Sequence, residues 1–259
     1  MDNLLEWGVD VVLRFQQFSP GLDIPFKVFT FTGDEMFFLL FLPAIVWCVN
    51  YRFGVSLMIL FLLNTYLNSV AKLIADQPRP FNIDTRVKKI VSAGGGGFPS
   101  GHTQNALVVW GYLAYCFRRK WLWIFAAVMI VFVPMSRVYL GVHFPTDIFG
   151  GYFLGIIVLL LFIRMEQAAI DWLKQKGVGL HLVLSSIVPI LIAMVTPSGD
   201  QTGITVCGTL MGGCTGLSME RKWVGFKISH TLWKKIACYI VGVLIMFVFY
   251  VGLKKAFAG

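Results

Sequence analysis

Charge is scarce in this sequence. Only 14% of its 259 residues are Asp, Glu, Lys or Arg, against about 25% in a soluble domain. So few charged groups cannot cover a water-facing surface, which excludes an ordinary soluble fold. Acidic residues are the rarer sign, 13 against 22 basic, so the net charge is +9. No arginine-rich tail or alternation of basic and aromatic residues accompanies that excess, which argues against a nucleic-acid partner. The five cysteines, Cys48, Cys116, Cys207, Cys214 and Cys238, lie in or beside apolar runs without C-x-x-C spacing. They read as small buried hydrophobes and not as disulfides or zinc ligands. Internal repeats and low-complexity segments are absent. The opening MDNLLEW is acidic where a secretory signal is basic, so no cleavable signal is expected.

What fills the chain is hydrocarbon: 57% of residues are hydrophobic and the mean hydropathy is +0.75. This composition specifies an all-α polytopic membrane bundle. A span needs about 20 apolar residues, and eight runs come close: 35–50, 54–75, 102–117, 121–140, 146–164, 180–196, 203–219 and 236–253. The seventh is rich in glycine and small residues, which suits close helix packing in lipid. Ahead of the first run, Leu4, Leu5, Val9, Val12, Leu13 and Phe15 form an amphipathic pattern interrupted by Asp10 and Arg14. That pattern predicts an interfacial helix. The division expected is an interfacial segment at 1–34, a core at 35–165 and additional membrane helices of unknown role at 166–259. A long polar loop at 76–101 contains four consecutive glycines, and 164–179 reads as a short amphipathic connector.

With eight spans, twelve Lys and Arg fall on one side and ten on the other. The positive-inside rule places the richer side in the cytoplasm. Three polar stretches then meet the opposite face: KLIADQPRP (72–80), FPSGHTQ (98–104) and SRVYLGVHFPTD (136–147). Lys72, Arg79 and Arg137 are cations at membrane level. Each costs roughly 2.5–3.5 kcal/mol at mid-span, so such residues are functional candidates. Together they repel one another unless an anion lies among them, and a phosphate dianion suits two guanidinium forks and an ammonium. Ser100 can cap a helix whose free amides also attract an anion, and Gly101 allows close backbone approach. His143 and Asp147, four residues apart across a helix start, make an oriented nucleophile. His102 at the opposite lip can protonate a leaving oxygen.

Lys72 and Arg79-Pro80, Pro99-Ser100-Gly101-His102, and Ser136-Arg137 with His143 and Asp147 match all three motif blocks of a known family. The chain resembles the type 2 phosphatidic acid phosphatase superfamily. Its layout is similar to the sphingosine-phosphate phosphatase and glucose-6-phosphatase groups. The resemblance implies a phosphohistidine on His143 oriented by Asp147, with His102 acting first as acid and then as base. It implies a phosphate held by Lys72, Arg79, Ser100, Gly101, His102 and Arg137, with no metal or other cofactor and with inhibition by vanadate. The expected substrate and partner is a phosphorylated lipid, a monoester or diphosphate, reached from the non-cytoplasmic face of the plasma (inner) membrane. A sugar phosphate, or passage of an anion through a transporter, stays open at this stage. Oligomeric state is not legible.

Overall fold

The computed structural model describes residues 2–257. Those residues contain eleven α-helices and no β-strand. In chain order they are α1 Asp2–Gln16, α2 Asp23–Phe31, α3 Glu35–Ala44, α4 Tyr51–Ala75, α5 Pro80–Ile83, α6 Gly101–Phe117, α7 Lys120–Tyr139, α8 Pro145–Lys174, α9 Val178–Val195, α10 Gln201–Trp223 and α11 Leu232–Phe257. A π-helical turn, Ile45–Val49, extends α3 just beyond Pro43. Each of the eight apolar runs is a helix. By length and apolarity five helices can cross a membrane, or six if the bent pair of α2 and α3 counts as one.

Local chemistry sets the helix ends. Asn50 caps α4 by accepting from the Phe53 amide at 2.9 Å, and Asp200 caps α10 through the Gly203 amide at 2.8 Å. Pro145 opens α8, where a missing N–H costs nothing. Asp76, which ends α4, takes a left-handed conformation at φ 39°. The 164–179 connector departs from expectation. α8 runs unbroken to Lys174, because a helix needs no apolar face once it leaves the bilayer. Its last turns are held instead by polar pairs such as Gln167 with Asp171 at 2.7 Å.

From α3 to α11 the long helices alternate in direction. Tyr51 bonds Glu220, and Arg52 bonds Gln167, so the start of α4 meets the ends of α8 and α10 at one end of the bundle. Ser69 bonds Asp200, and the Ser100 amide donates to the Asp147 carbonyl. The end of α4 therefore meets the starts of α6, α8 and α10 at the other. Between them Phe38, Leu57, Leu60, Val108, Tyr112 and Val133 form the core. In lipid such a core holds by packing, and glycine tightens it. A Cβ on Gly151 would lie 2.7 Å from the Ser100 carbonyl oxygen, so α8 can approach the start of α6 only with glycine there.

Behind the core lies a buried polar ladder. Asn64 donates to Asn105, Gln104 to Asn64 and Asn68 to Gln104, each at 2.7 Å. It ties α4 to α6 where a bilayer offers no water to replace those bonds. The N-terminal α1 packs Val9 and Val12 beside Phe144 and Val138, while Leu4 and Trp7 stay exposed. Its last residue, Gln16, is a buried clasp. Its Nε2 donates to the carbonyls of Lys88 at 2.7 Å and Tyr139 at 3.1 Å, and its Oε1 accepts from the Lys88 amide at 3.0 Å. Replacement by alanine strands these backbone groups at a cost of about 1–3 kcal/mol each. We expect Gln16→Ala to lower the thermal unfolding midpoint in detergent. An unchanged midpoint would show that the clasp holds nothing.

Candidate functional site

The three polar stretches converge at one end of the bundle. Lys72 comes from the last turn of α4, Arg79 from the extended residue before α5, His102 from the first turn of α6, Arg137 from the last turn of α7, His143 from the α7–α8 loop and Asp147 from the first turn of α8.

Carbonyl groups hold the cations. Arg79 donates through Nη2 to Gly94 at 2.7 Å, through Nε to Gly95 at 3.1 Å and through Nη1 to Val142 at 2.8 Å. Lys72 Nζ donates to the carbonyls of Gly96 at 2.9 Å and Gly97 at 3.2 Å. The four-glycine run is thus a wrap of carbonyl oxygens around two cations. Its second half has little room for side chains: a Cβ on Gly96 would lie 3.1 Å from the Lys72 carbonyl oxygen and one on Gly97 3.2 Å from Asp147 Oδ2. Arg137 is bound at Nη1 to Thr30 Oγ1 at 2.5 Å, yet its buried Nε has no acceptor among the described residues. Among the described residues, none of the three cations forms a salt bridge with a carboxylate.

His143 is 2% exposed and Asp147 fully buried. Nδ1 of His143 lies 3.0 Å from Asp147 Oδ2, and Nε2 faces Arg79 Nη1 at 3.3 Å. An arginine can only donate, so Nε2 carries the lone pair and Nδ1 the proton. Asp147 is fixed in turn, accepting from the Phe144 amide and from Gln77 Nε2, both at 2.9 Å. Burial pushes the His143 imidazolium well below its ordinary pKa of 6.5. Arg137, Lys72, Arg79 and His102 push it in the same direction.

Ser100 caps α6, its hydroxyl accepting from the Thr103 amide at 3.4 Å. The amides of Gly101 and His102 have no protein acceptor among the described residues. What leaves no room at Gly101 is Asn68, whose Oδ1 would lie 2.8 Å from a Cβ. Glycine therefore serves the helix contact there as well as any ligand. His102 Nε2 lies 3.0 Å from Asp34 Oδ1, and Gly33 packs against its ring.

Asp34, Gln77, Thr30 and Gln16 escaped sequence reasoning. A weak signal existed for Asp34, a Gly-Asp pair ahead of an apolar run, which is a helix-start pattern. Nothing about Gln77 or Thr30 separates them from neighbouring loop or helix residues.

The PAP2 superfamily model matches residues 53–171, and the transmembrane extension of PAP2 superfamily phosphatases matches residues 204–259. Residues 53–171 form a PAP2 superfamily domain. Among relatives, phosphatidylglycerophosphatase B of Bacillus subtilis is 35% identical over 132 residues, which is 48% of this chain and 62% of that protein. Sphingosine-1-phosphate phosphatase 1 of Mus musculus is 27% identical over 207 residues, 73% of this chain and 48% of that protein. The chain thus spans between about half and three-fifths of the length of these curated relatives. The crystal structure of a transmembrane PAP2-type phosphatidylglycerolphosphate phosphatase from Bacillus subtilis superposes with a TM-score of 0.56 at 25% identity. That match covers 65% of this chain and 88% of that one. The PAP2 region at 53–171 contains all the site residues named from sequence.

The depressed imidazolium pKa has a direct consequence. A group whose pKa falls below 6.5 stays neutral as the pH drops through that value. In the nitrogen-15 histidine spectrum of the ligand-free protein, the His143 titration midpoint should lie below 6.5. A midpoint at or above 6.5 would mean that it is neither buried nor beside cations.

Proposed function

We propose that this chain is an integral-membrane phosphohydrolase that cleaves a lipid phosphate, a monoester or a diphosphate, through a phosphohistidine. One observation carries the reading. Among the described residues, Lys72, Arg79 and Arg137 gather at membrane level with no carboxylate salt bridge, an Arg137 donor is left without a partner, and the lone pair of His143 Nε2 faces the same pocket. A phosphate dianion answers both the charge and the empty donor. The PAP2 superfamily domain and the names of the chain's relatives support phosphate chemistry on lipids.

The steps follow from the groups present. The phosphoryl oxygens bind among Lys72, Arg79, Arg137 and the amides of Gly101 and His102, with Ser100 holding that helix start in shape. His143 Nε2 attacks phosphorus in line, forming a P–N bond as the P–O bond to the lipid breaks. Asp147 stabilises the resulting imidazolium. His102 gives its proton to the departing oxygen, and the lipid leaves as an alcohol or a shorter phosphate. Water then attacks the phosphohistidine and gives its proton to His102. Inorganic phosphate leaves, and His143 regains its lone pair. The cations and amides stabilise the charge in flight, so the reading needs no metal or cofactor. Asp34 is a positioning residue that orients His102.

The same reading extends to topology. Residues 35–165 carry the chemistry, α1 within 1–34 rests at the interface, and all eight long helices cross the bilayer, the 166–259 segment adding three. The end bearing Arg52, Arg118, Arg119 and Lys120 faces the cytoplasm. The site therefore opens on the opposite face of the plasma (inner) membrane.

Purified protein should release phosphate from phosphatidic acid or a polyprenyl diphosphate in excess chelator, and His143→Ala should abolish that release. Turnover by His143→Ala, or dependence on added metal, contradicts the mechanism. Because one histidine must be neutral and the other protonated, kcat/KM should be bell-shaped in pH. A flat profile from about pH 5 to 9 counts against the pair. Asp34→Asn should lower kcat about tenfold with little change in KM, the pattern of a group acting only in the transition state. An unaltered kcat removes Asp34 from the mechanism.

A further inference from the structure

A second large feature adjoins the pocket. A cavity of about 1200 Å³ lies between α3 and α4 on one side and α10 and α11 on the other. Gly33 and Asn105 line its mouth. Gly33 is the residue packed on the His102 ring, and Asn105 lies one turn beyond His102 on α6. The cavity therefore adjoins the candidate phosphate site at its His102 edge. Its floor is at the other end of the bundle, where the Tyr51 hydroxyl donates to Glu220 Oε2 at 2.6 Å. Thr65 and Tyr51 on α4 both line it. Fourteen residues at about 1.5 Å each give a depth of roughly 21 Å. One leaflet of hydrocarbon is about 15 Å thick, half of a ~30 Å bilayer core.

The lining suits hydrocarbon. Phe38, Leu42, Met58 and Phe61 supply its body. Thr205 and Thr209 also face it, but their hydroxyls donate back to the carbonyls of Gln201 and Thr205, both at 2.8 Å, which leaves their methyl groups toward the space. Two of the α10 glycines expected to pack helices together do something else here, while Gly213 does meet Met58 of α4. Gly212 and Gly216 line the cavity, and a Cβ on either would have nothing within 4 Å. They make room. α10 rests on α4 and α9, whereas α11 rests on α3 and its π turn, so the two leave a cleft between them. An apolar cleft open at membrane depth is filled by hydrocarbon, because it offers water no partners.

We propose that this cavity is the slot for a hydrocarbon chain of the lipid phosphate, entered between α10 and α11 while the phosphate occupies the His143 pocket. The inference rests on the phosphatase reading and gives the transmembrane extension a task, the selection of substrates by their chains. Moving a chain from lipid into an apolar slot gains little burial, so selection comes from fit.

Two measurements on the full chain in phosphatidylcholine nanodiscs test it. Phosphatidic acid with a diazirine near the chain end should label residues 209–217 on illumination, and orthovanadate should suppress that label by occupying the phosphate pocket. Labelling confined to other helices, or label at 209–217 that vanadate leaves untouched as for a permanently bound membrane lipid, overturns the slot. Gly212→Leu should lower the ratio of kcat/KM for dioleoyl over dihexanoyl phosphatidic acid about tenfold, the scale of misfit in an apolar pocket. An unchanged ratio overturns the slot, as does an equal loss on both lipids, which marks a merely structural cavity. Release of phosphate with label elsewhere sinks the slot alone. No release from either lipid sinks the phosphatase reading with it.

Discussion

Three like charges held together in a nearly dry pocket are the constraint around which this molecule is built. Lys72, Arg79 and Arg137 repel one another, and each pays to leave water. Single-atom dipoles do the holding. Glycine carbonyls from 94–97 take Lys72 and Arg79, the Val142 carbonyl takes Arg79 again, and a threonine hydroxyl takes Arg137. Carbonyls orient a cation without neutralising it, so the pocket keeps its positive field for an incoming anion. A carboxylate beside each cation would have been the cheaper arrangement for stability and would have closed the site.

Asp147, a buried carboxylate at the site, forms no salt bridge with the cations among the described residues and is turned to His143. Gln77, the Phe144 amide and the tight fit of Gly97 hold it there. Burial first, and then the positive field of the same cations, keeps His143 neutral. In the proposed mechanism that neutral imidazole is the form that attacks, so the cations that would bind a phosphate would also help to keep the nucleophile ready.

Much of this was legible in the sequence, because the relevant signals are local or nearly so. Apolar run lengths located the long helices, and the short-range patterns Pro-Ser-Gly-His and His-x-x-x-Asp located the helix starts that present imidazoles. Contacts between helices distant in sequence were not legible. Asp34 meets His102 across 68 positions, and the Asn64–Asn105 ladder depends on which way each amide points inside the bundle. The α10 glycines show the same limit from another side. Glycine in a membrane helix admits either a neighbouring helix or empty space, and composition cannot distinguish the two. The end of α8 was misjudged because hydropathy reports where a helix leaves lipid and says nothing of where its hydrogen bonding stops.

The central claim is that the three cations and the His143 nitrogen surround one tetrahedral oxyanion. A structure of the protein determined with orthovanadate tests this most directly. Vanadium should be bonded to His143 Nε2, with its oxygens on Arg79, Arg137 and Lys72 and on the amides at the start of α6. Vanadate bound elsewhere, or absent from this pocket at a concentration that inhibits, would contradict the account.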